Sequence, residues 1–382
     1  MFQRSLWSIV NSEASPRYQI LAINAFDGGS HRSFLRGLIG GSDNDWTVLA
    51  GKPVHWKWRM RSSALTMADM TQQHVAKHGY PDLVFCTDML DLPTWRGLLN
   101  DKRFADIPVI NYFHESQWTY PTAPGSRVDH HFGYTNLLSA IASDACVFNS
   151  CFHRDTFLGA SEQFVRKMPD SKSAHDWLAL KAKSWVIPPG FDPPSFLPSR
   201  SAGEVPVIGW VSRWENDKCP QRFAELLQQL DHLSHDFRLV LLGARPADPK
   251  AASLEPLEQI RRSHGHRILY DGFAETADDY WHWLTKMDFV VSTADHEFFG
   301  IAVCEAMHAG AVPVVPDRLS YPEWVPSECL YRTTEDAIAL LCLNKDERRL
   351  CSDVCRNQIA KFDRRLVASK IDNLAMRLIQ AS

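Results

Sequence analysis

The feature that most constrains this chain is an alternation of short apolar runs with segments of helical spacing. Runs that are apolar on both faces and separated by helices are typical of a parallel sheet covered on both sides. The sequence therefore predicts an α/β fold. The predicted strands are 18–26, 47–51, 82–88, 108–113, 145–150, 205–212, 237–243, 267–273, 288–294 and 311–316, and the helices of the second half are 220–231, 253–263, 276–286 and 300–309.

A proline-rich stretch divides the two series of strands. Residues 187–206, IPPGFDPPSFLPSRSAGEVP, contain six prolines and two glycines and can form neither a helix nor a central strand. We therefore predict two Rossmann-like, doubly wound domains, 1–190 and 191–382, that face each other across a cleft. An alternative for the C-terminal helix is that it returns to the first domain and packs there. Ligands of such sheets bind beyond the carboxyl ends of the strands, so the loops after the strands are the candidate site.

Charge and cysteine usage narrow the class of protein. A net charge of −4 gives no global positive field for nucleic acid, although a local basic patch remains compatible with it. The nine cysteines include no CxxC pair and several lie in apolar runs, which indicates reduced thiols in a cytoplasmic protein. The first residues lack the pattern of a signal peptide and no run is long enough for a membrane span. We expect a soluble, cytoplasmic protein.

The first candidate loop is NAFDGGSHRSF, where a strand ends at Phe26 and a helix begins near Ser30, a residue suited to the N-cap. Gly28 and Gly29 between them would let the backbone approach a ligand beside a helix N-terminus. The segment is not a GxGxxG fingerprint, and a tight strand-to-helix turn explains it equally well.

The loop WVSRWENDKCP after the first strand of the second domain carries two cations, Arg213 and Lys218. They precede a helix that has Pro220 in its first turn. Two cations beside a helix N-terminus suit a diphosphate. A solvated surface pair is the alternative, and the position after the leading strand favours function.

The segment DHEFFGIAVCEAMHAG has Glu297 in a predicted loop and Glu305 inside a predicted helix. If the whole stretch were helical, the two would be about 12 Å apart. That is too far for the roughly 5.5 Å pair of a retaining glycosidase. The spacing favours two separate anchors for the hydroxyls of two sugars, with the amides of Phe298, Phe299 and Gly300 available to phosphate. For Glu305 alone, a partly buried acid bonded to its neighbours is an equal alternative.

One stretch, KPVHWKWRMRSS, interleaves cations with aromatic rings. Cations for phosphates and flat rings for bases are what recognition of single-stranded RNA requires. A strand or loop that packs its tryptophans in the core is equally compatible with the residues alone. The residues concerned are Lys52, Trp56, Lys57, Trp58, Arg59 and Arg61.

No motif for a metal is found in a suitable loop. Asp278 and Asp279 fall on a predicted helix and fit a solvated face, and the adjacent His130 and His131 lack partners at ligand spacing. We predict that no metal ion is bound.

Taken together, Glu297-x7-Glu305, the Arg213 and Lys218 pair and the linker VIPPGFD resemble retaining nucleotide-sugar glycosyltransferases of the GT-B fold, family 4. The chain is similar in particular to the tRNA-queuosine α-mannosyltransferase family, and the resemblance covers both halves in order. The motifs that carry it are ILAINAFDGGSHRSF, WKWRMRSSAL, NYFHESQWTYP, VFNSCFHRDTFL, GWVSRWENDKCP and HEFFGIAVCEAM.

The resemblance implies transfer of mannose from GDP-mannose to the cyclopentenediol of queuosine in the anticodon of tRNA-Asp, without a cofactor, membrane or obligate protein partner. It implies that Arg213 and Lys218 hold the donor diphosphate and that Glu297, with the backbone of Phe298 to Gly300, contacts the transferred sugar. Further implied roles are ribose binding for Glu305, a contact with sugar or acceptor for His114, and space for the diphosphate or acceptor at Gly28 and Gly29. The basic and aromatic stretch would bind RNA.

Three other functions stay open on the residues. One is a GT-B enzyme with another nucleotide sugar or with a lipid or small-molecule acceptor. Another is a nucleotide-sugar epimerase or hydrolase that shares the donor site. The third, an RNA-binding module without catalysis, has no need of Arg213, Lys218 and the two glutamates.

Overall fold

The computed structural model describes residues 17–119, 129–170, 176–194, 197 and 203–382. The described strands are β1 (Gln19–Asn24), β2 (Asp45–Ala50), β3 (Leu83–Thr87), β4 (Val109–Phe113), β5 (Ala145–Phe148), β6 (Ser184–Val186), β7 (Val207–Trp210), β8 (Arg238–Leu242), β9 (Ile268–Gly272), β10 (Phe289–Val291), β11 (Val312–Pro316) and β12 (Leu330–Tyr331).

Helices connect most of these strands. They are α1 (Gly29–Gly41), α2 (Trp56–His78), α3 (Leu92–Leu99), α4 (Arg103–Asp106), α5 (His130–Ala142), α6 (Cys151–Arg166), α7 (Trp177–Ala182), α8 (Pro220–His232), α9 (Glu255–His264), α10 (Ala277–Lys286), α11 (Ile301–His308), α12 (Thr334–Leu341), α13 (Lys345–Ile359) and α14 (Arg364–Ala381). Among the described residues, none of the helices has the length and apolar character needed to cross a membrane.

The strands form two six-stranded sheets, ordered β2-β1-β3-β4-β5-β6 and β12-β11-β10-β7-β8-β9. All of the pairings within both sheets are parallel. The central strands are buried on both faces, as the residues of β3 and β4 show. The predicted pair of doubly wound α/β sheets is therefore confirmed.

Ten strands and four second-half helices were predicted from apolar runs, and each has a counterpart in the fold. The prediction missed β6 and β12, which are edge strands too short to leave a pattern. The strand or loop considered for 52–63 is correct only for the loop at 52–55 and wrong from Trp56, where α2 begins. Met60, Ala64 and Met67 lie on its buried face at helical spacing.

The C-terminal helix α14 packs on α1 of the first sheet. Val367 and Ile371 of α14 belong to the same buried cluster as Phe34 and Leu38 of α1. At the edge of this contact, the Asp372 carboxylate accepts hydrogen bonds from the Ser42 hydroxyl at 2.7 Å and from the Asn44 side chain at 2.9 Å. The chain thus crosses between the sheets a second time after α13.

Parts of two predicted segments lie outside the described residues. They are 195–196 and 198–202 of the predicted linker and the end of the motif NYFHESQWTYP from residue 120. The exact domain boundaries remain a prediction.

Candidate active site

The loops that follow the strands of the two sheets meet across a cleft. The Ser150 hydroxyl, after β5, donates a 2.7 Å hydrogen bond to the carbonyl oxygen of Phe298, after β10. The Glu323 carboxylate of the second half accepts from the backbone amides of Cys151 at 2.8 Å and Phe152 at 2.5 Å. The carboxyl ends of both sheets therefore border one site, as the fold predicts.

Lys218 and Glu297 form the charged centre of this site. Lys218 lies in a short turn between β7 and α8, and its Nζ donates to Glu297 Oε2 at 3.1 Å and to the carbonyl oxygen of His296 at 3.0 Å. Asp217 lies 3.2 Å from the same Nζ. The Lys218 side chain is only 12% exposed, so this cation is held in place.

Both members of the pair stay charged at neutral pH. Burial alone lowers the pKa of Lys218, but the charges of Glu297 and Asp217 outweigh it and the pKa lies above its ordinary value. Burial alone raises the pKa of Glu297, but the charge and the hydrogen bond of Lys218 outweigh it and the pKa is lowered. The structure thus unites two residues that lie far apart in the sequence.

Arg213, the second predicted cation, is more exposed. Its side chain is 46% exposed and forms an ion pair with Glu215 at 3.1 Å. Its charge reaches across the cleft, because Arg213 and Lys218 both lower the pKa of Glu115 against the larger effect of burial, which leaves that pKa raised. Glu115 is the second residue after β4 and was missed by the sequence reasoning, although its place next to His114 at a strand end is a usable signal.

His114 belongs to a group of buried imidazoles on the first-half side. Its ring centroid is 4.1 Å from that of His31 on α1. Burial, followed by His31 and His153, lowers the pKa of His114 well below its ordinary value, so the ring is neutral. The Nε2 of His114 has no hydrogen-bond partner among the described residues. The sequence reasoning missed His31, which lies in the GGSH segment that it had singled out.

The glycine loop precedes His31. The prediction that Ser30 caps the helix is wrong: α1 begins at Gly29, and Gly28 is its N-cap with an extended backbone. A Cβ atom at Gly28 would lie 2.4 Å from Cβ of Pro53, so the close approach of the β2 loop excludes a side chain there. Gly28 is therefore buried against Pro53, whereas Gly29 is exposed in the first turn of α1, one residue before Ser30.

The loop from Glu297 to Gly300 is fixed by contacts on both sides. The Phe298 ring stacks on the His153 ring of α6, with centroids 3.9 Å apart, and Phe299 is buried in the core of the second half. The Phe299 amide donates to Glu297 Oε1 at 3.3 Å. Gly300 has φ +90°, and a Cβ atom there would lie 2.9 Å from the Tyr321 ring. The segment thus turns sharply into α11.

Glu305 lies inside α11, as predicted, in a different environment from Glu297. Its Oε2 accepts a 2.6 Å hydrogen bond from the hydroxyl of Tyr280 on α10. Burial raises the pKa of Glu305 to about 7, against the opposing effect of that hydrogen bond. The two glutamates therefore differ in charge state near neutral pH.

The basic and aromatic stretch forms the loop before α2 and its first turns. Trp58 is 59% exposed. Trp56 instead packs on Phe132 of α5 with ring centroids 5.4 Å apart, and the Arg61 guanidinium pairs with Asp129 at 3.0 Å. Of the remaining predicted residues, Lys52 and Lys57 are exposed and Arg59 is partly buried. The start of α2 thus exposes the ring of Trp58 among cationic side chains.

Within the described part of the chain, no group of three or more His, Cys, Asp or Glu side chains could hold a metal ion. Asp278 and Asp279 lie exposed in the first turn of α10, and His130 and His131 lie exposed in the first turn of α5. That no metal is used stays a prediction.

Solved structures with this fold support the architecture. Sucrose-phosphate synthase from Thermosynechococcus elongatus superposes with a TM-score of 0.69 over 96% of this chain and 100% of that chain, at 16% identity. The catalytic domain of starch synthase IV from Arabidopsis thaliana gives 0.67 over 96% and 100%, at 14% identity. Residues 205–356 match the family model described as glycosyl transferases group 1. The protein is a glycosyltransferase of the GT-B fold.

The first half specifies the family. Residues 19–191 match the model described as the tRNA-queuosine alpha-mannosyltransferase N-terminal domain. The tRNA-queuosine alpha-mannosyltransferase of Drosophila melanogaster is 32% identical over 326 residues, which are 82% of this chain and 84% of that protein. The chain belongs to the tRNA-queuosine alpha-mannosyltransferase family.

Proposed function

We propose that the protein transfers mannose from GDP-mannose to the cyclopentenediol of queuosine in the anticodon of tRNA-Asp. The observation that carries this proposal is the match of the queuosine-specific family model to residues 19–191, the half that borders the cleft opposite Lys218 and Glu297. The printed name of the Drosophila relative supports the same acceptor and the same sugar. GDP as the carrier and tRNA-Asp as the acceptor tRNA follow from the resemblance in sequence.

In this proposal the donor diphosphate binds Lys218 and Arg213. Breaking the bond between sugar and phosphate builds negative charge on the leaving group, and fixed cations stabilise it. Lys218 is already held by Glu297 and His296, so little reorganisation accompanies the reaction. The exposed pair of Arg213 with Glu215 contributes at most about 1 kcal/mol, so the guanidinium can exchange Glu215 for a phosphate oxygen.

The hydroxyls of the donor are assigned to the two glutamates. Glu297 accepts from the mannosyl group, assisted by the backbone of Phe298 to Gly300, and Glu305 accepts from the ribose. The glycines Gly28 and Gly29 leave room for the diphosphate or the acceptor. His114 is neutral, so its Nε2 can donate to or accept from a hydroxyl without introducing charge.

The reaction we propose retains the anomeric configuration and needs no protein nucleophile, because the departing phosphate itself can take the proton of the attacking hydroxyl. We also propose that no metal takes part, since Lys218 and Arg213 supply the positive charge. Excess EDTA is then expected to leave the rate unchanged, and a rate restored only by added Mg²⁺ or Mn²⁺ would refute this.

The acceptor tRNA is assigned to the start of α2. The exposed ring of Trp58 offers a face on which a base of the anticodon loop can stack, and neighbouring cations can contact phosphates. The cations and rings of this surface are Lys52, Trp56, Lys57, Trp58, Arg59 and Arg61. We also propose a cytoplasmic site of action, consistent with nine free thiols and a tRNA acceptor.

The decisive experiment incubates the purified protein with GDP-mannose and queuosine-containing tRNA and follows the nucleoside mass by liquid chromatography and mass spectrometry. We expect one hexose on queuosine in tRNA-Asp, and none on tRNA that carries guanosine at that position. The product should be lost in Glu297→Ala and Arg213→Ala. Asp278→Ala, an exposed acid on α10, is the matched control that keeps activity.

The alternatives predict other products. Transfer from UDP-galactose but not from GDP-mannose would overturn the donor assignment and leave the acceptor. Release of free mannose at an equal rate with and without tRNA would identify a hydrolase. Absence of transfer to tRNA with every nucleotide sugar that is turned over would overturn the tRNA assignment.

A further inference from the structure

Four residues at the start of α6 hold the donor-side loop from across the cleft. The Ser150 hydroxyl donates to the Phe298 carbonyl oxygen at 2.7 Å, and the His153 ring stacks on the Phe298 ring at 3.9 Å. The backbone amides of Cys151 and Phe152 donate to Glu323. We call this set, with Phe298 and Glu323, the interdomain clasp.

The clasp reaches the charged centre through one peptide unit. Phe298 directly follows Glu297, whose carboxylate bonds Lys218, and it precedes the Phe299 amide that bonds the same carboxylate. Ser150 is buried, and so are the side chains of His153 and Phe298. A shift of the Phe298 carbonyl would therefore move Glu297 against Lys218.

The geometry of α6 makes the contact specific. Ser150 is the N-cap of α6: its hydroxyl accepts from the His153 amide at 3.0 Å while it donates to Phe298. The amides of Cys151 and Phe152 have no acceptor within the helix, because the first amides of a helix are unpaired. An anion at that end is favoured by the helix dipole, and Glu323 from the opposite domain supplies it.

We propose that Ser150, His153 and Glu323 are positioning residues for glycosyl transfer: they hold the two domains together at the site and set the Glu297 loop relative to the acceptor side. This inference rests on the glycosyl transfer reaction proposed above but on no particular donor. It assigns to α6 a role that the donor and acceptor contacts do not include. Errors in such positioning act on the rate of the bound complex rather than on binding.

Hydrogen–deuterium exchange tests the clasp without any substrate. In the wild type, the amides of Cys151 and Phe152 are expected to exchange slowly despite their place in the first helical turn. Glu323→Ala should accelerate their exchange, whereas Glu328→Ala, an exposed acid on the same connection, should not. Fast exchange of both amides in the wild type would overturn the clasp.

Kinetics then test the positioning role, with whichever nucleotide sugar the wild type turns over. Ser150→Gly keeps a residue that is favoured at an N-cap and removes the CH2OH side chain that bonds the Phe298 carbonyl oxygen. We expect its kcat to fall about tenfold with the donor KM nearly unchanged, and Ser150→Thr to restore it. We also expect a higher ratio of hydrolysed to transferred sugar, which a smaller fraction of folded enzyme cannot produce.

The outcomes are separable. The proposal is overturned if the amides exchange fast in Glu323→Ala while kcat and the product ratio are unchanged in Ser150→Gly. That result would show a contact without a positioning role. If the wild type turns over a different nucleotide sugar from GDP-mannose, the donor assignment fails while both tests of the clasp still apply.

Discussion

The two sides of the cleft differ in how they handle charge. The second-half side contains the Lys218 and Glu297 pair, in which each charge holds the other ionised. The first-half side buries two imidazoles in their neutral form: burial lowers the pKa of His114 and of His31, the latter to about 4. On the same side, burial and then Glu115 raise the pKa of Asp88 to about 8.

The contrast indicates that the two sides of the cleft suit different chemical groups of the substrates. A fixed cation with its counter-ion suits a diphosphate whose charge grows during the reaction. Neutral imidazoles and a protonated carboxyl suit hydroxyl groups, because they can donate and accept hydrogen bonds without a net charge to desolvate. We therefore expect variants at Lys218 and Glu297 to lose more activity than variants on the neutral side.

The largest effect is expected at Lys218. Lys218→Met removes the fixed cation and should lower kcat/KM by about a thousandfold. It should also lower the free energy of unfolding by roughly 3 kcal/mol, because Glu297 and Asp217 are left buried without their partner. Steady-state kinetics and denaturant titration measure the two losses.

A second variant separates those losses. Lys218→Met combined with Glu297→Met should recover stability, since it removes one unpaired anion, but should recover no activity. Lys286→Met, at an exposed lysine of α10, is the control for the substitution itself. Activity near the wild-type level in Lys218→Met would show that the cation has no role in the reaction.

His114 tests the neutral side. His114→Ala should lower kcat/KM by roughly thirtyfold, the effect of losing one hydrogen bond to a buried hydroxyl. Because the pKa of His114 lies well below its ordinary value, the rate between pH 6 and 8 should show no titration of this ring. His266→Ala, at an exposed histidine, serves as the control. If the wild-type rate falls with an apparent pKa near 6.5 and the rate of His114→Ala does not, a neutral His114 is contradicted.

The two sides of the cleft also differ in how well the sequence predicts their residues. Lys218 and Glu297 were predictable because each follows a strand with a clear apolar run. His31 and Glu115 were missed, because their importance comes from packing: a buried imidazole against His114 and a carboxyl facing cations of the other domain. The start of α2 was misjudged because its cations and tryptophans obscure the helical spacing of Met60, Ala64 and Met67.

The variant Trp58→Ala tests whether tRNA binds on the neutral side of the cleft. Trp58→Ala should raise the KM for tRNA about tenfold through loss of one stacked base, with kcat nearly unchanged. Trp58→Phe keeps a flat ring and should recover most of the affinity. Leu350→Ala, an exposed apolar residue on α13, should leave the KM for tRNA as it is. An unchanged KM in Trp58→Ala would remove the start of α2 from the acceptor site.

The smallest effect is expected from the titration of Glu305, whose pKa is raised by burial whereas that of Glu297 is lowered by Lys218. Burial raises its pKa to about 7, so it is largely protonated at pH 6 and largely ionised at pH 8. An ionised carboxylate accepts hydrogen bonds from two ribose hydroxyls, whereas the protonated form gives up part of that capacity. The KM for the nucleotide sugar should therefore rise about threefold as the pH falls from 8 to 6.

The folded protein responds to the same titration in the opposite direction. A carboxyl whose pKa is higher in the folded than in the unfolded state stabilises the fold below its unfolded pKa of 4.5, and that contribution is lost as the pH rises through about 7. Stability should thus fall over the pH range in which donor binding improves, and Glu305→Gln should reduce both trends. If Glu305→Gln flattens the pH dependence of stability but not that of the KM, Glu305 is a partly buried acid bonded to Tyr280 and another group binds the ribose.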